Sequence, residues 1–255
     1  MKDLTVGKEG KLIFYFAVPI LLGNVFQTLN YIIDRIIVGN YLGKSSIAAV
    51  GVSFPVIFAL ISLIIGITTG ISIVISQYFG AKDFVRVKRS VDTAYIFLFF
   101  ASIIISILGI LLARPVFIFL NVPEEVMPDA LTYLNIIIGG VIFMAGFNGT
   151  LGILRGLGDS KTPLYFLIMA TLLNIIVEMI FIVYLKMGIE GAALASIIAQ
   201  AITFLTATIY LNKKLEFIRI SFLRVYFDRD IFKKSLVVGL PSGIQQFAVA
   251  IGMLF

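Results

Sequence analysis

Seven stretches of this chain are apolar for long enough to cross a lipid bilayer, and this limits the fold more than any other feature. They run roughly over residues 12–39, 47–78, 92–120, 129–154, 163–186, 190–211 and 231–255. A spanning helix needs about 20 mostly apolar residues. In lipid only helices and closed barrels satisfy every backbone polar group. Apolar residues make up 60% of the chain and charged residues 13%. A soluble domain carries about 45–50% and about 25%, so the composition excludes one. The expected class is an all-α membrane protein. Met1–Lys11 is polar and leads into a full-length span with no small-residue cleavage site, so no cleaved signal is expected.

The first and seventh stretches begin alike. Val18-Pro19-Ile20-Leu21-Leu22-Gly23-Asn24 is matched by Gly239-Leu240-Pro241-Ser242-Gly243-Ile244-Gln245, an apolar helix with an interior proline followed by amides. Long internal repeats of membrane spans are an architecture of secondary transporters. The expected organisation is a six-helix lobe over 1–212, a basic amphipathic connector over 213–230, and the first helix of a second lobe over 231–255. On this expectation the chain holds one full repeat and the start of the next, lies partway through its fold, and does not transport by itself. The connector carries Leu215, Ile218, Phe222 and Tyr226 at helical spacing, which predicts a helix lying on the membrane surface.

Charge orients the spans. Lys44, Arg114 and Lys186 are all the positive charge on one set of loops. Every other Lys and Arg except Arg35 falls on the opposite set, Arg155 and Lys161 among them. The positive-inside bias places that set, with the N-terminus, in the cytoplasm and the chain in the cytoplasmic membrane. With neither His nor Cys in the sequence, His relays, thiol nucleophiles and the common zinc sites are excluded. Small residues recur at helix-packing spacing, at Gly66 and Gly70, Gly152 and Gly156, and Ala195 and Ala199, which predicts a close-packed bundle.

Ionisable groups inside spans are expensive and mark function by default. Asp34, Arg35 and Glu178 lie well inside. Counting along the helices places Asp34 and Glu178 at one depth. Asn174 is one turn before Glu178, Asn30 and Gln27 are one and two turns before Asp34, and Ser196 enters the same layer from the sixth span. Two acids, three amides and a hydroxyl suit a Na⁺ site or a proton-exchanging pair; interhelical hydrogen bonding is the structural alternative. Arg35 is adjacent to Asp34, about 100° around the helix, and is expected to point away from the polar face. Pro19 removes a helical hydrogen bond and can bend its span.

Several stretches together resemble the multidrug and toxic compound extrusion (MATE) transporters of the NorM and DinF type. They are Ile33-Asp34-Arg35-Ile36-Ile37-Val38-Gly39, Ile47-Ala48-Ala49-Val50-Gly51, Ser76-Gln77-Tyr78-Phe79-Gly80-Ala81-Lys82-Asp83, Arg155-Gly156-Leu157-Gly158-Asp159-Ser160-Lys161-Thr162-Pro163, and Met187-Gly188-Ile189-Glu190-Gly191-Ala192-Ala193. The resemblance covers the first half of such a protein plus its seventh helix. It implies a twelve-helix fold of two lobes around a central cavity. It also implies an antiporter that exports organic cations or drugs by alternating access, driven by Na⁺ or H⁺. By resemblance Asp34, Asn174, Glu178 and Ser196 form the ion-coupling set, a possible Na⁺ site, with Glu178 standing where the family usually has Asp. Pro19 falls on the bending proline, and Tyr133 and Asn148 on cavity-lining positions beside Gln27 and Asn30.

No cofactor beyond the coupling ion is expected, nor any nucleic-acid partner. The expected partners are the bilayer and a cationic small molecule, with a monomer as the working unit. A flippase for lipid-linked oligosaccharides is the alternative in the same superfamily. An ATP-driven enzyme is not expected, because Gly156–Thr162 lacks the glycine and spacing of a P-loop.

Overall fold

The computed structural model describes residues 9–215, 218 and 226–253, and these are almost entirely helical. The helices are α1 (Glu9–Leu42), α2 (Lys44–Gly80), α3 (Phe84–Phe119), α4 (Met127–Gly139), α5 (Val141–Gly156), α6 (Lys161–Met179), α7 (Gly188–Lys214) and α8 (Arg229–Gly252). Among the described residues six are long and apolar enough to cross a membrane, and the bent pair α4 and α5 is apolar enough to count as a seventh if it forms one span. At 37 residues, α2 is about 55 Å long, against a hydrocarbon core of about 30 Å.

Tight turns punctuate the bundle. α2 ends with Lys82 at φ 58°. There the Asp83 amide donates to the Tyr78 carbonyl and the Lys82 amide to that of Phe79, the double closure of a left-handed helix stop. The Asp83 carboxylate then caps α3 by accepting from the Arg86 amide at 3.0 Å. Asp228 caps α8 through the amides of Asp230 and Ile231. Its own amide donates to the Thr93 hydroxyl and its carboxylate pairs with Arg89, which ties the start of α8 to α3. Between α5 and α6, Gly158 takes φ 78° and Asp159 gathers the Thr162 amide, the Thr162 hydroxyl and the Lys214 ammonium. Burial opposes the Asp159 charge, but these donors outweigh it and hold the carboxyl below its usual range.

The two ends of the bundle differ. The α2–α3 and α5–α6 turns lie at a basic end, where Ile71, Ile75, Val91, Leu154, Leu157 and Leu211 form one core. The α1–α2 turn and the α3–α4 loop lie at the opposite end, over a core of Val38, Val50, Phe117, Leu134 and Ile138.

Three departures from the sequence reading stand out. The stretch 129–154 is not one straight helix: α4 and α5 meet at 51°. At the break the Gly140 amide is shared between the Ile136 and Ile137 carbonyls, and the Phe143 amide turns back to Gly140, so the regular ladder is interrupted. A Cβ on Gly140 would press on the Ile197 side chain of α7. Second, α6 continues as one π-helical turn, Ile180–Tyr184, closed by the Leu185 amide on the Ile180 carbonyl at 3.0 Å. Third, Leu215 is extended rather than helical and Ile218 is fully buried; most of the connector, including Phe222, lies outside the described residues.

α2 packs most extensively on α8. Gly66 and Gly70 face Gly239 and Gly243, backbone against backbone. Gly152 and Gly156 bring α5 against Thr68, Ser72 and Ile75 of α2, where the Ser72 hydroxyl donates to the Gly152 carbonyl at 2.8 Å. Ala195 and Ala199 are buried on α7.

Candidate functional site

A cavity of about 1110 Å³ runs along the bundle between α1, α2, α5, α6 and α7. Of the residues singled out from sequence, Pro19, Gln27, Asn30, Asp34, Tyr133, Asn148, Asn174 and Ser196 line it. Glu178 does not line it. It lies behind Asp34 and is fully buried.

α1 positions the first group. It is continuous through the buried Pro19, and the face carrying Gln27, Asn30 and Asp34 turns into the cavity while Leu21, Val25, Leu29, Ile32 and Ile36 are exposed. α6 brings Asn174 and Glu178 one turn apart, directly before the π turn; such turns recur at functional sites. The Asn174 side-chain amide donates to the Ser196 hydroxyl of α7 at 3.3 Å. The Asp34 and Glu178 carboxyls sit within hydrogen-bonding reach of each other. Two carboxylates both accept, so no bond forms between them unless one carries a proton.

The chemistry of this end lies in what remains unsatisfied. Asn30 Oδ1, Asp34 Oδ1, Asn174 Oδ1 and both Glu178 oxygens are buried without a hydrogen-bond partner. Buried polar atoms are normally paired, so these oxygens are available to accept from a proton-bearing group or water, or to ligate a cation. Hard oxygen donors of this kind suit a monovalent cation, while no group of three or more acidic, His or Cys residues forms a metal cluster among the described residues.

Arg35 stands apart. Its side chain is exposed, with the guanidinium carbon 5.7 Å from the centre of the Phe54 ring, and no ion pair to an acid is formed. An exposed cation–π contact contributes about 0.5–1 kcal/mol. Arg35→Leu is therefore expected to lower the thermal midpoint only slightly and to leave transport by the whole protein near the parent rate. A large loss in a transport assay would show that Arg35 acts at the site.

The structure adds residues that the sequence reading passed over. Tyr31, Thr171, Gln200 and Gln246 line the cavity. Tyr31 is three residues before Asp34, Thr171 three before Asn174 and Gln200 four after Ser196, so helical spacing could have found them. Gln246 enters from α8 and needed the tertiary pairing. Arg155, read as a loop charge, is in the last turn of α5 and lines the basic end of the same cavity.

Apolar helices around a long, polar-ended cavity define a multi-pass membrane protein. The family model MatE matches residues 19–180, and the chain belongs to that family of transporters. It is 34% identical over 92% of its length to a probable multidrug resistance protein, YoeA, of Bacillus subtilis, covering 52% of that protein. It is 33% identical over 99% of its length to the probable multidrug resistance protein YpnP of the same organism, covering 56% of it. A solved multidrug resistance MATE family transporter in an outward-facing conformation superposes with a TM-score of 0.89 at 30% identity, over 97% of this chain and 55% of that one. The chain thus spans about half the length of the curated relatives it matches.

Proposed function

We propose that the whole protein is an ion-coupled antiporter that exports organic cations or drugs by alternating access. It performs no covalent chemistry, and it works as a monomer in the cytoplasmic membrane with its N-terminus inside. Residues 1–212 form the first lobe, 213–230 the connector, and α8 opens the second lobe. Asp34, Asn174, Glu178 and Ser196 form the coupling set, with Gln27, Asn30, Tyr133 and Asn148 in contact with substrate. Pro19 supplies the bend in α1.

The observation that carries this proposal is the buried Asp34–Glu178 pair, with its unsatisfied oxygens, at the end of a cavity of about 1110 Å³. Two like charges this close repel strongly in a low-dielectric site. A proton shared between them, or a Na⁺ held with the Asn174 and Ser196 oxygens, removes the repulsion. Losing that ion returns it, so the pair has two states that an ion gradient can drive. An acidic site also suits a cationic passenger. Imposed gradients test the proposal. In proteoliposomes of the whole protein, a fluorescent organic cation is expected to move against its gradient when a Na⁺ or pH gradient is imposed, and not when both are collapsed. Equal movement without a gradient, or movement that needs ATP, would overturn it.

A further inference from the structure

The opposite end of the cavity has the opposite character. Arg155 of α5, Lys82 of the α2–α3 turn and Ser160 of the α5–α6 turn all line it there. Arg155 is half-buried in the last turn of α5, and among the described residues its side chain forms neither an ion pair nor a hydrogen bond. A guanidinium on a half-buried side chain usually has a carboxylate or carbonyl partner. Two ordinary kinds of partner are already engaged. The last carbonyls of α5 each accept from an amide: Ile153, Leu154 and Arg155 from those of Leu157, Asp159 and Gly158. Four acids at this end of the bundle are also engaged: Asp159 with Thr162 and Lys214, Asp83 with Arg86, Asp92 with Lys88 and Asp228 with Arg89. Ser160 is a buried residue that lines the same end of the cavity.

We infer that Arg155, Lys82 and Ser160 form a subsite for a phosphate-type oxyanion, either free phosphate or the headgroup of an anionic lipid. The forked guanidinium matches two oxygens of a tetrahedral anion, the ammonium supplies a movable point charge, and the hydroxyl a third donor. The subsite is separate from the acids. Along α6, Pro163 at this end and Glu178 at the other are fifteen residues apart, roughly 22 Å at the helical rise. The walls between are uncharged, with Ile61, Ile65, Leu151, Asn148 and Thr171 among them. An anion here therefore does not neutralise the acid pair directly, and the subsite stands whether or not those acids couple transport.

The test is direct binding by the full chain in phosphatidylcholine nanodiscs, with inorganic phosphate in one arm and short-chain phosphatidylglycerol in the other. Saturable binding is expected in at least one arm. Phosphate alone would identify a soluble anion as the source, the lipid alone a headgroup, and both would show that the phosphate group suffices. Arg155→Gln is expected to weaken binding at least about tenfold, the size of one lost charge-assisted contact, and Arg155→Lys to restore part of it. Lys82→Gln, at an exposed position with little structural role, should weaken it less. No binding in either arm, or binding indifferent to both Arg155→Gln and Lys82→Gln, would overturn the inference.

Discussion

Asp34→Asn and Glu178→Gln, each in the whole protein, are expected to abolish gradient-driven efflux while leaving the fold as stable as the parent or more so. An amide keeps the shape and hydrogen-bonding capacity of the carboxyl but exchanges no proton and ligates a cation weakly. Stability should not fall, because this pair is not an ion pair. Among the described residues no Lys or Arg pairs with either carboxyl, Arg35 lies over Phe54, and neither Glu178 oxygen has a hydrogen-bond partner. Removing a buried charge that lacks a partner relieves a penalty, and functional sites often carry such penalties. The paired readouts separate a coupling role from a structural one. A structural pair would lose thermal midpoint and keep its ion dependence. Parent-like coupled efflux in both variants would remove the acids from the mechanism.

Much of this site is legible in the sequence because the bilayer makes it so. Where nearly every residue of a span is apolar, Asp34 and Glu178 are conspicuous, and a fixed rise per residue converts their positions into depth. The same counting placed Asn174 and Ser196 in their layer, and they prove to be hydrogen-bonded. Tyr31 and Thr171 obey the same spacing but are only mildly polar, whereas Gln200 is as polar as Gln27 and the same spacing applied to it. Arg155 was hidden for a geometric reason. Ending its span at residue 154 made it a loop charge, whereas the helix runs on to Gly156 and the side chain turns into the cavity wall.

The breaks in the helices were not legible. Glycine is frequent in membrane helices, so Gly139-Gly140 resembled several other glycines, and only the close approach of Ile197 distinguishes it. The π turn after Met179 has no signature in Ile180-Phe181-Ile182-Val183-Tyr184, a run that reads equally well as α-helix. Gly66 and Gly70 announced a close neighbour but could not name it. The matching pair Gly239 and Gly243 lies far along the chain, and only the packing shows that they meet.

That meeting predicts the largest structural effect in the molecule. Gly70→Ala is expected to be strongly destabilising, although alanine favours a helix over glycine by about 1 kcal/mol. A Cβ at Gly70 would run into the Ser235 carbonyl oxygen and lie 2.7 and 2.8 Å from the Gly239 amide nitrogen and Cα. Every one of these atoms is backbone, so no side chain can swing aside and α8 as a whole must move off α2. Overpacking a close-fitted site costs about 1–3 kcal/mol, occasionally more. Here the displacement would also loosen Gly66 against Gly243 and draw Gln246 out of the cavity wall. Gly51→Ala is the internal control. It lies in the same helix with nothing within 4 Å of the added methyl, so only the propensity gain remains and the thermal midpoint should hold or rise. The two should therefore move the midpoint of the purified protein in opposite directions. Gly70→Ala leaving it unchanged would show that α8 does not rest on α2 through these glycines.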